Sequence, residues 1–287
     1  MPTPGRSASL FAKKKPYEIG ATSKYGLNMK DELKTLDRFF SVYLDSDLSK
    51  VAPGQIQVVG SDRRYRREMG YGVVHILWLF VSKGRCLISL QHQMVRPMLE
   101  IVKRIKDPEE FRSHKFDQEI LQMCSLALAQ EQKLSISRGP KYYCSRANLN
   151  FSPDPNVRLI TKENLKEVVT ALKDAGFGPP GIVTDEPSFA YYFEGRPVAC
   201  CSTAAFGHMK EEVAEVGGVF TLESMRRKGL AKAVVSAVTN AILKSGRVPV
   251  YGTSDRNLAS KRTALSVGYK EYAWNLSVRY VPDNLKE

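Results

Sequence analysis

The sequence predicts an α/β protein with a mixed sheet and helices on both faces, preceded by a smaller α+β domain. After residue 156, strand-like runs alternate with runs whose apolar residues have helical spacing. Before that point, one helical stripe leads into three strand-like runs and two more helical runs. Hydrophobic residues make up 43% and charged residues 25% of the 287 residues, which is typical of a globular protein.

The first part of the chain predicts a basic tail followed by a folded domain. Residues 1–29 contain five basic and one acidic residue without apolar periodicity, so we expect a flexible basic tail. Residues 30–150 predict the α+β domain, which is either a degenerate second copy of the C-terminal fold or an unrelated cap. The expected elements are a helix from Lys30, a strand at 55–60, a hairpin around 82–84, and helices at 92–106 and 118–132.

The second part of the chain begins after a linker. Residues 150–156 read NFSPDPN, and their two prolines predict a linker before a domain at 156–287. Glycines and polar residues separate the runs that follow. The expected strands are 157–160, 189–193, 198–206, 213–221, 248–253 and the C-terminal stretch, and the expected helices are 161–175, 229–246 and 257–267.

The junction between strand 213–221 and the next helix is the most specific feature of the sequence. It contains a basic, glycine-containing loop that opens the helix, where backbone N–H groups lack helical partners at the positive end of the helix dipole. Such a loop can hold a diphosphate. Its residues are Arg226, Arg227, Lys228, Gly229, Leu230 and Ala231.

This loop resembles the Q/R-x-x-G-x-G/A motif of the GNAT superfamily of acyl-CoA-dependent N-acetyltransferases. The segment from Asn257 to Ser260, followed by Gly268-Tyr269, resembles the family's N-x-A-S…G-F segment. The order of strands from 157–160 onward is also similar, so the resemblance covers about residues 156–273. It implies a GNAT-like sheet and acetyl-CoA as co-substrate.

The resemblance also implies the residues of a coenzyme site. In this family the fourth strand separates from the fifth at a bulge, and the pantetheine arm lies in the resulting slot. The diphosphate would bind the loop at 226–231. The pantetheine would pair with the backbone of Val219, Phe220 and Thr221, and the other side of the slot would be lined by Asn257 and Ser260.

Glu215 is the candidate general base, because it lies 11 residues before Arg226, a spacing found in the histone-acetylating branch of the family. A solvated strand-end carboxylate, with a chain of waters as the base, is the alternative. The family often carries a tyrosine as general acid at the position of Ala264, so this acid is missing here. Tyr251, Ser260 and Tyr269 are candidate replacements, and each could also be structural.

Two functions follow from these features. The first is acetyl transfer from acetyl-CoA to a primary amine by direct attack in a ternary complex, with the acceptor open. The second is an anion- or nucleic-acid-binding module with a vestigial or regulatory CoA site, in which the basic tail and the arginines of 63–67 would bind the anion. Nucleic acid is not expected as a partner of the enzyme, and the oligomeric state is open, a homodimer included.

The remaining expectations concern metals, membranes and compartment. The five cysteines form no C-x-x-C pair and the four histidines are far apart, so we expect no metal site and reduced core thiols. The longest apolar run, 73–81, has half the length of a membrane-spanning helix. We therefore expect a cytoplasmic protein that does not bind a membrane.

Overall fold

In the described part of the chain, the strands form one mixed sheet of ten strands. The sequence predicts a mixed sheet with helices on both faces, but not its extension through the first part of the chain. The computed structural model describes residues 29–67, 72–128, 133–173, 184–204 and 208–282. The predicted tail, apart from its last residue, and the predicted C-terminal end of helix 161–175 lie outside this part. The strand order is β1-β3-β2-β10-β4-β9-β8-β7-β6-β5. The strands are β1 (Ile56–Gly60), β2 (Val74–Ser82), β3 (Arg85–Leu90), β4 (Ser135–Tyr143), β5 (Val157–Leu159), β6 (Phe189–Phe193), β7 (Arg196–Ala204), β8 (Val213–Thr221), β9 (Val248–Gly252) and β10 (Lys270–Tyr280).

Helices cover both faces of the sheet, and separate apolar clusters lie between the helices and the strands. The helices are α1 (Met29–Leu44), α2 (Val95–Val102), α3 (Asp117–Ala127), α4 (Leu165–Lys173), α5 (Leu230–Lys244) and α6 (Leu258–Val267). Phe39 and Phe40 of α1 pack with Val213 and Val250 of the sheet. The other face packs against α2 and α3 at one end and α5 and α6 at the other. This alternation follows from strands that present successive side chains to opposite faces.

Strand β4 was not predicted from the sequence. Pro140 cannot donate a ladder hydrogen bond, so its presence argues against a central strand. Nevertheless, β4 lies between β10 and β9, and Pro140 is aligned with Trp274 of β10. Pairing with β10 from Ser135 to Tyr143 supplies the long-range contacts that override the local signal.

The sheet is continuous through both parts of the chain. Strand β4 precedes the predicted linker, while its neighbours β9 and β10 follow that linker. Strand β10 in turn pairs with β2 from the first part. The division into domains stays a prediction, but side chains from the first part can reach the sheet positions of the second.

The cysteines are buried and unpaired: Cys86, Cys124, Cys144, Cys200 and Cys201. Burial raises the pKa of the Cys200 thiol to about 12. Burial also raises the pKa values of Cys124 and Cys144 to about 12. At neutral pH these groups are thiols, which are poor nucleophiles compared with thiolates. The cysteines are therefore core residues, as predicted.

Candidate functional site

Strands β8 and β9 separate at a bulge in β8. Their parallel pairing runs from Val213 to Val216 on β8, opposite Val248 to Tyr251 on β9. On its other edge β8 remains paired with β7, where the register shifts as Ser202 pairs with Gly217 and Cys200 with Phe220. Three steps on β8 thus match two on β7, which is a β-bulge, and Gly218 within it has φ of +57°. Beyond Val216, β8 continues to Thr221 without pairing with β9, which ends at Gly252. We call the space along this unpaired edge of β8 the gap between β8 and β9.

The C-terminal end of β8 borders this gap. It contains the three residues predicted to pair with a pantetheine arm, Val219, Phe220 and Thr221. Phe220 and Thr221 pair with β7, and Val219 packs against the core under α5. The Thr221 hydroxyl is buried and has no hydrogen-bond partner in the described part of the chain. A buried hydroxyl without a partner is costly, so a ligand group at this position would satisfy it.

The basic loop follows β8 directly and leads into α5. Arg227 and Gly229 have left-handed backbone, with φ of +65° and +81°. Gly229 is the N-cap of α5, and the first backbone bond of the helix runs from the Ala233 N–H to the Gly229 carbonyl. The preceding N–H groups therefore have no helical acceptor. The loop at 226–229 is exposed, whereas Leu230 is buried and Ala231 half-buried.

The other side of the gap is formed by the segment after β9. The Asn257 side chain accepts a hydrogen bond from the Ser260 N–H at 3.0 Å and caps α6. The Ser260 hydroxyl lies 2.7 Å from the Tyr251 hydroxyl of β9. The predicted pair Asn257 and Ser260 thus holds the start of α6 against the strand that ends at the gap.

Glu215 lies one residue before the last β8–β9 pair and shares the α1 face with Val213. Its carboxylate Oε1 is 3.8 Å from the ammonium of Lys141, a residue of β4. The Glu215 side chain is 17% exposed, so the solvated strand-end carboxylate considered from the sequence is wrong as a description of its environment. Its role as general base stays a prediction.

The three candidate proton donors, Tyr251, Ser260 and Tyr269, have different hydrogen-bond partners. The Tyr269 hydroxyl is buried and bonded to the Thr239 hydroxyl at 2.8 Å, within the core under α5. Burial raises the pKa of Tyr251 to about 12, so its hydroxyl is protonated at neutral pH. Both tyrosine rings lie in this core, with centroids 5.5 Å apart, and the Tyr251 hydroxyl bonds Ser260 at the start of α6. The identity of the proton donor stays a prediction.

Sequence reasoning missed two residues of the site, Lys141 and Gly252. Both lie beside Glu215, but neither belongs to a recognisable motif. Lys141 is on the strand that the sequence did not predict, and Gly252 reads as the end of an ordinary strand.

Among the described residues, no group of three or more His, Cys, Asp or Glu side chains could hold a metal ion. No helix within the described ranges has the length and apolarity to cross a membrane.

The sequence and structure were compared with known proteins. Residues 200–278 match the family model of FR47-like proteins. No curated protein is similar enough to count as a match. The solved structures with similar folds include an acetyltransferase of the GNAT family from Novosphingobium aromaticivorans, at 18% identity and a TM-score of 0.44, covering 53% of this chain and 70% of that one.

Two further structures share part of the fold. A GCN5-related N-acetyltransferase from Kribbella flavida is 21% identical with a TM-score of 0.40, and the match covers 53% of this chain and 62% of that one. AAC(6')-Iy, solved with the bisubstrate analogue CoA-S-monomethyl-acetylneamine, is 20% identical with a TM-score of 0.35. That match covers 40% of this chain and 90% of the other.

Proposed function

Because the C-terminal part of the chain carries a GNAT-superfamily domain, we propose that the protein transfers an acetyl group from acetyl-CoA to a primary amine. The observation that carries the proposal is the gap between β8 and β9, which opens immediately before a basic loop at the N-terminus of α5. A gap beside a helix N-terminus offers an extended slot for the acyl chain and an anion site for the diphosphate.

The residues around the gap fit coenzyme A. Four cationic side chains and the free N–H groups of the first turn of α5 suit a diphosphate. The Thr221 hydroxyl, buried without a partner, offers a hydrogen bond to the amide-rich pantetheine arm. The cations are Arg226, Arg227, Lys228 and Lys232.

Bound acetyl-CoA would supply a thioester, whose carbonyl carbon accepts the lone pair of the amine. The amine nitrogen forms a bond to that carbon, the carbon–sulfur bond breaks, and the sulfur leaves as a thiolate. We assign Glu215 to take the proton released by the amine, directly or through one water, because its carboxylate lies beside the gap and is largely shielded from solvent. The Tyr251–Ser260 hydroxyl pair can return a proton to the sulfur.

The environment of the cysteines supports direct attack by the amine over transfer through an acylated enzyme. Cys200 and Cys201 are the cysteines on the strand beside β8, and their thiol groups lie near the carbonyls of Gly218 and Gly217. Burial raises the pKa of both thiols, so neither is a ready nucleophile. A ternary complex is therefore the mechanism that the site favours.

The proposal is tested by incubating the full chain with acetyl-CoA and a panel of primary amines, with release of the CoA thiol as the measurement. We expect saturable turnover with at least one amine and binding of acetyl-CoA by calorimetry. Binding without turnover on any amine would contradict transferase activity, and absence of binding would contradict the coenzyme site.

Gly229→Val should weaken acetyl-CoA binding by about 2 kcal/mol or more, because the diphosphate would lose charge-assisted bonds to the loop amides. A valine is strained at φ of +81°, so the loop must leave its present conformation. Nothing lies within 4 Å of the position of an added Cβ, so the fold itself tolerates the side chain. Calorimetry with acetyl-CoA measures the change.

Gly54→Val is the matched control. Gly54 has the same φ of +81° and equally open surroundings, but it lies in the turn before β1. We expect both variants to lose similar stability while only Gly229→Val loses affinity. Equal acetyl-CoA affinity in the two folded variants would contradict the assignment of the diphosphate to this loop.

The alternative, a nucleic-acid-binding module, receives less support from the structure. Of the arginines in 61–67, Arg64 is fully buried, and its guanidinium donates to the Tyr43 carbonyl at 2.5 Å. That arginine belongs to the core, which reduces the charge available to a phosphate backbone. Binding to duplex DNA that falls steeply with salt would favour the module instead.

A further inference from the structure

Lys141 of β4 lies close to the candidate catalytic carboxylate, that of Glu215. The Lys141 ammonium is 3.8 Å from the Glu215 carboxylate, and their side chains are 14% and 17% exposed. Residue 141 lies outside the segment that matches the FR47-like family model. This ion-pair partner of Glu215 therefore comes from the first part of the chain.

Gly252 makes this contact sterically feasible. Lys141 is aligned with Gly252 on β9, and β9 lies between β4 and β8. Neighbouring strands are about 4.8 Å apart, so the lysine must cross one strand to reach Glu215, over a span of roughly 10 Å. A Cβ at residue 252 would stand 2.7 Å from the Lys141 ammonium and 3.2 Å from the Glu215 carboxylate. Because Gly252 has no side chain, the Lys141 side chain can pass over β9 to reach Glu215.

We propose that Lys141 is a positioning residue, which fixes the Glu215 carboxylate toward the gap between β8 and β9. The inference rests on the proposed function, since it concerns the base of the same reaction. A glutamate side chain has several rotamers, and an opposite charge within ion-pair distance selects those that keep the carboxylate near it. Because both side chains are shielded from solvent, salt and water screen this attraction less than they would at the surface.

The expected consequence is a change in turnover rather than in coenzyme binding. Lys141→Met should lower kcat about 10-fold, because a loosely placed base reaches the amine proton less often. The KM for acetyl-CoA should stay constant, since the loop at 226–231 is untouched. Lys141→Arg, which keeps the charge, should retain most of the wild-type kcat.

Gly252→Ala provides an independent disturbance of the contact without replacing either charged residue. The atom that the new methyl group would meet most closely is the end of the flexible lysine chain. The lysine can move aside while the strand keeps its backbone. This variant should fold and should show the same loss of kcat as Lys141→Met.

A double-mutant cycle distinguishes positioning from general destabilisation. If Lys141 acts through Glu215, Lys141→Met should have almost no further effect on kcat in the Glu215→Gln background. An equal 10-fold loss in that background would overturn the inference, because Lys141 would then act independently of Glu215. Full kcat in both Lys141→Met and Gly252→Ala, with Glu215→Gln impaired, would overturn it as well.

The same experiment separates this inference from the proposed function. If wild-type protein acetylates no amine, the proposed function fails at the first step. If wild-type protein is active and Glu215→Gln is unimpaired, the assignment of the base fails, and the positioning role fails with it. An active enzyme with an impaired Glu215→Gln and coupled Lys141→Met supports both.

Discussion

Glu215→Gln should lower the turnover number on the order of 10²-fold, at the low end of general-base effects. A primary amine is mostly protonated at neutral pH, with a lysine-like reference pKa near 10.4, so the acceptor must lose a proton before it attacks. Glutamine keeps the size of the side chain but cannot accept this proton. Steady-state kinetics with an active amine measure the loss, and acetyl-CoA affinity should remain nearly constant.

The pH dependence and a neighbouring glutamate provide the controls. The loss in Glu215→Gln should shrink at high pH, where the free amine arrives already deprotonated. Glu211→Gln removes a carboxylate four residues earlier whose side chain is 86% exposed, and it should leave kcat unchanged. A pH–rate profile of Glu215→Gln parallel to that of wild type, with a loss below a few-fold, would instead point to a water relay.

The parts of the site that are local in sequence could be predicted. The basic loop lies within one strand-to-helix connection, so its glycine, its cations and the helix that follows are readable from a short segment. The bulge in β8 was expected only from the family resemblance, although the Gly217-Gly218 pair lies in the strand at that point. The mixed sheet followed from strand and helix periodicity in the same way.

The parts that depend on distant segments could not be predicted. Lys141 meets Glu215 only because β4 pairs with β9, and the Pro140 beside it suppresses the strand signal. The role of Asn257 could not be predicted for a different reason. Its motif is local in sequence, but asparagine is also a favoured residue at helix N-caps. In the structure its side chain makes the capping bond to the Ser260 N–H, which the motif alone does not distinguish from ligand binding.

Strand β4 carries a second charged contact, centred on Arg138, whose loss should lower stability strongly. Arg138 is 7% exposed, and its guanidinium lies 2.5 Å from the Asp117 carboxylate and 3.2 Å from that of Asp255. The same guanidinium lies 4.8 Å from the centre of the Trp274 ring, whose Nε1 donates to Asp255 at 3.1 Å. This cluster ties α3 and β4 to the segment between β9 and α6, which borders the candidate slot.

Arg138→Met should therefore lower the free energy of unfolding by about 3–5 kcal/mol, because two shielded carboxylates lose the guanidinium that pairs with both of them. Urea denaturation at neutral pH measures the change through the midpoint at constant slope.

Arg104→Met is the matched control: its ion pair with Glu119 has side chains 54% and 44% exposed, so water already solvates both charges. We expect that control to change stability by less than about 1 kcal/mol. A comparable small change in Arg138→Met would mean that water compensates Asp117 and Asp255 in the folded protein. The start of α6 would then be held at the slot by the Asn257 cap and the Tyr251–Ser260 contact instead.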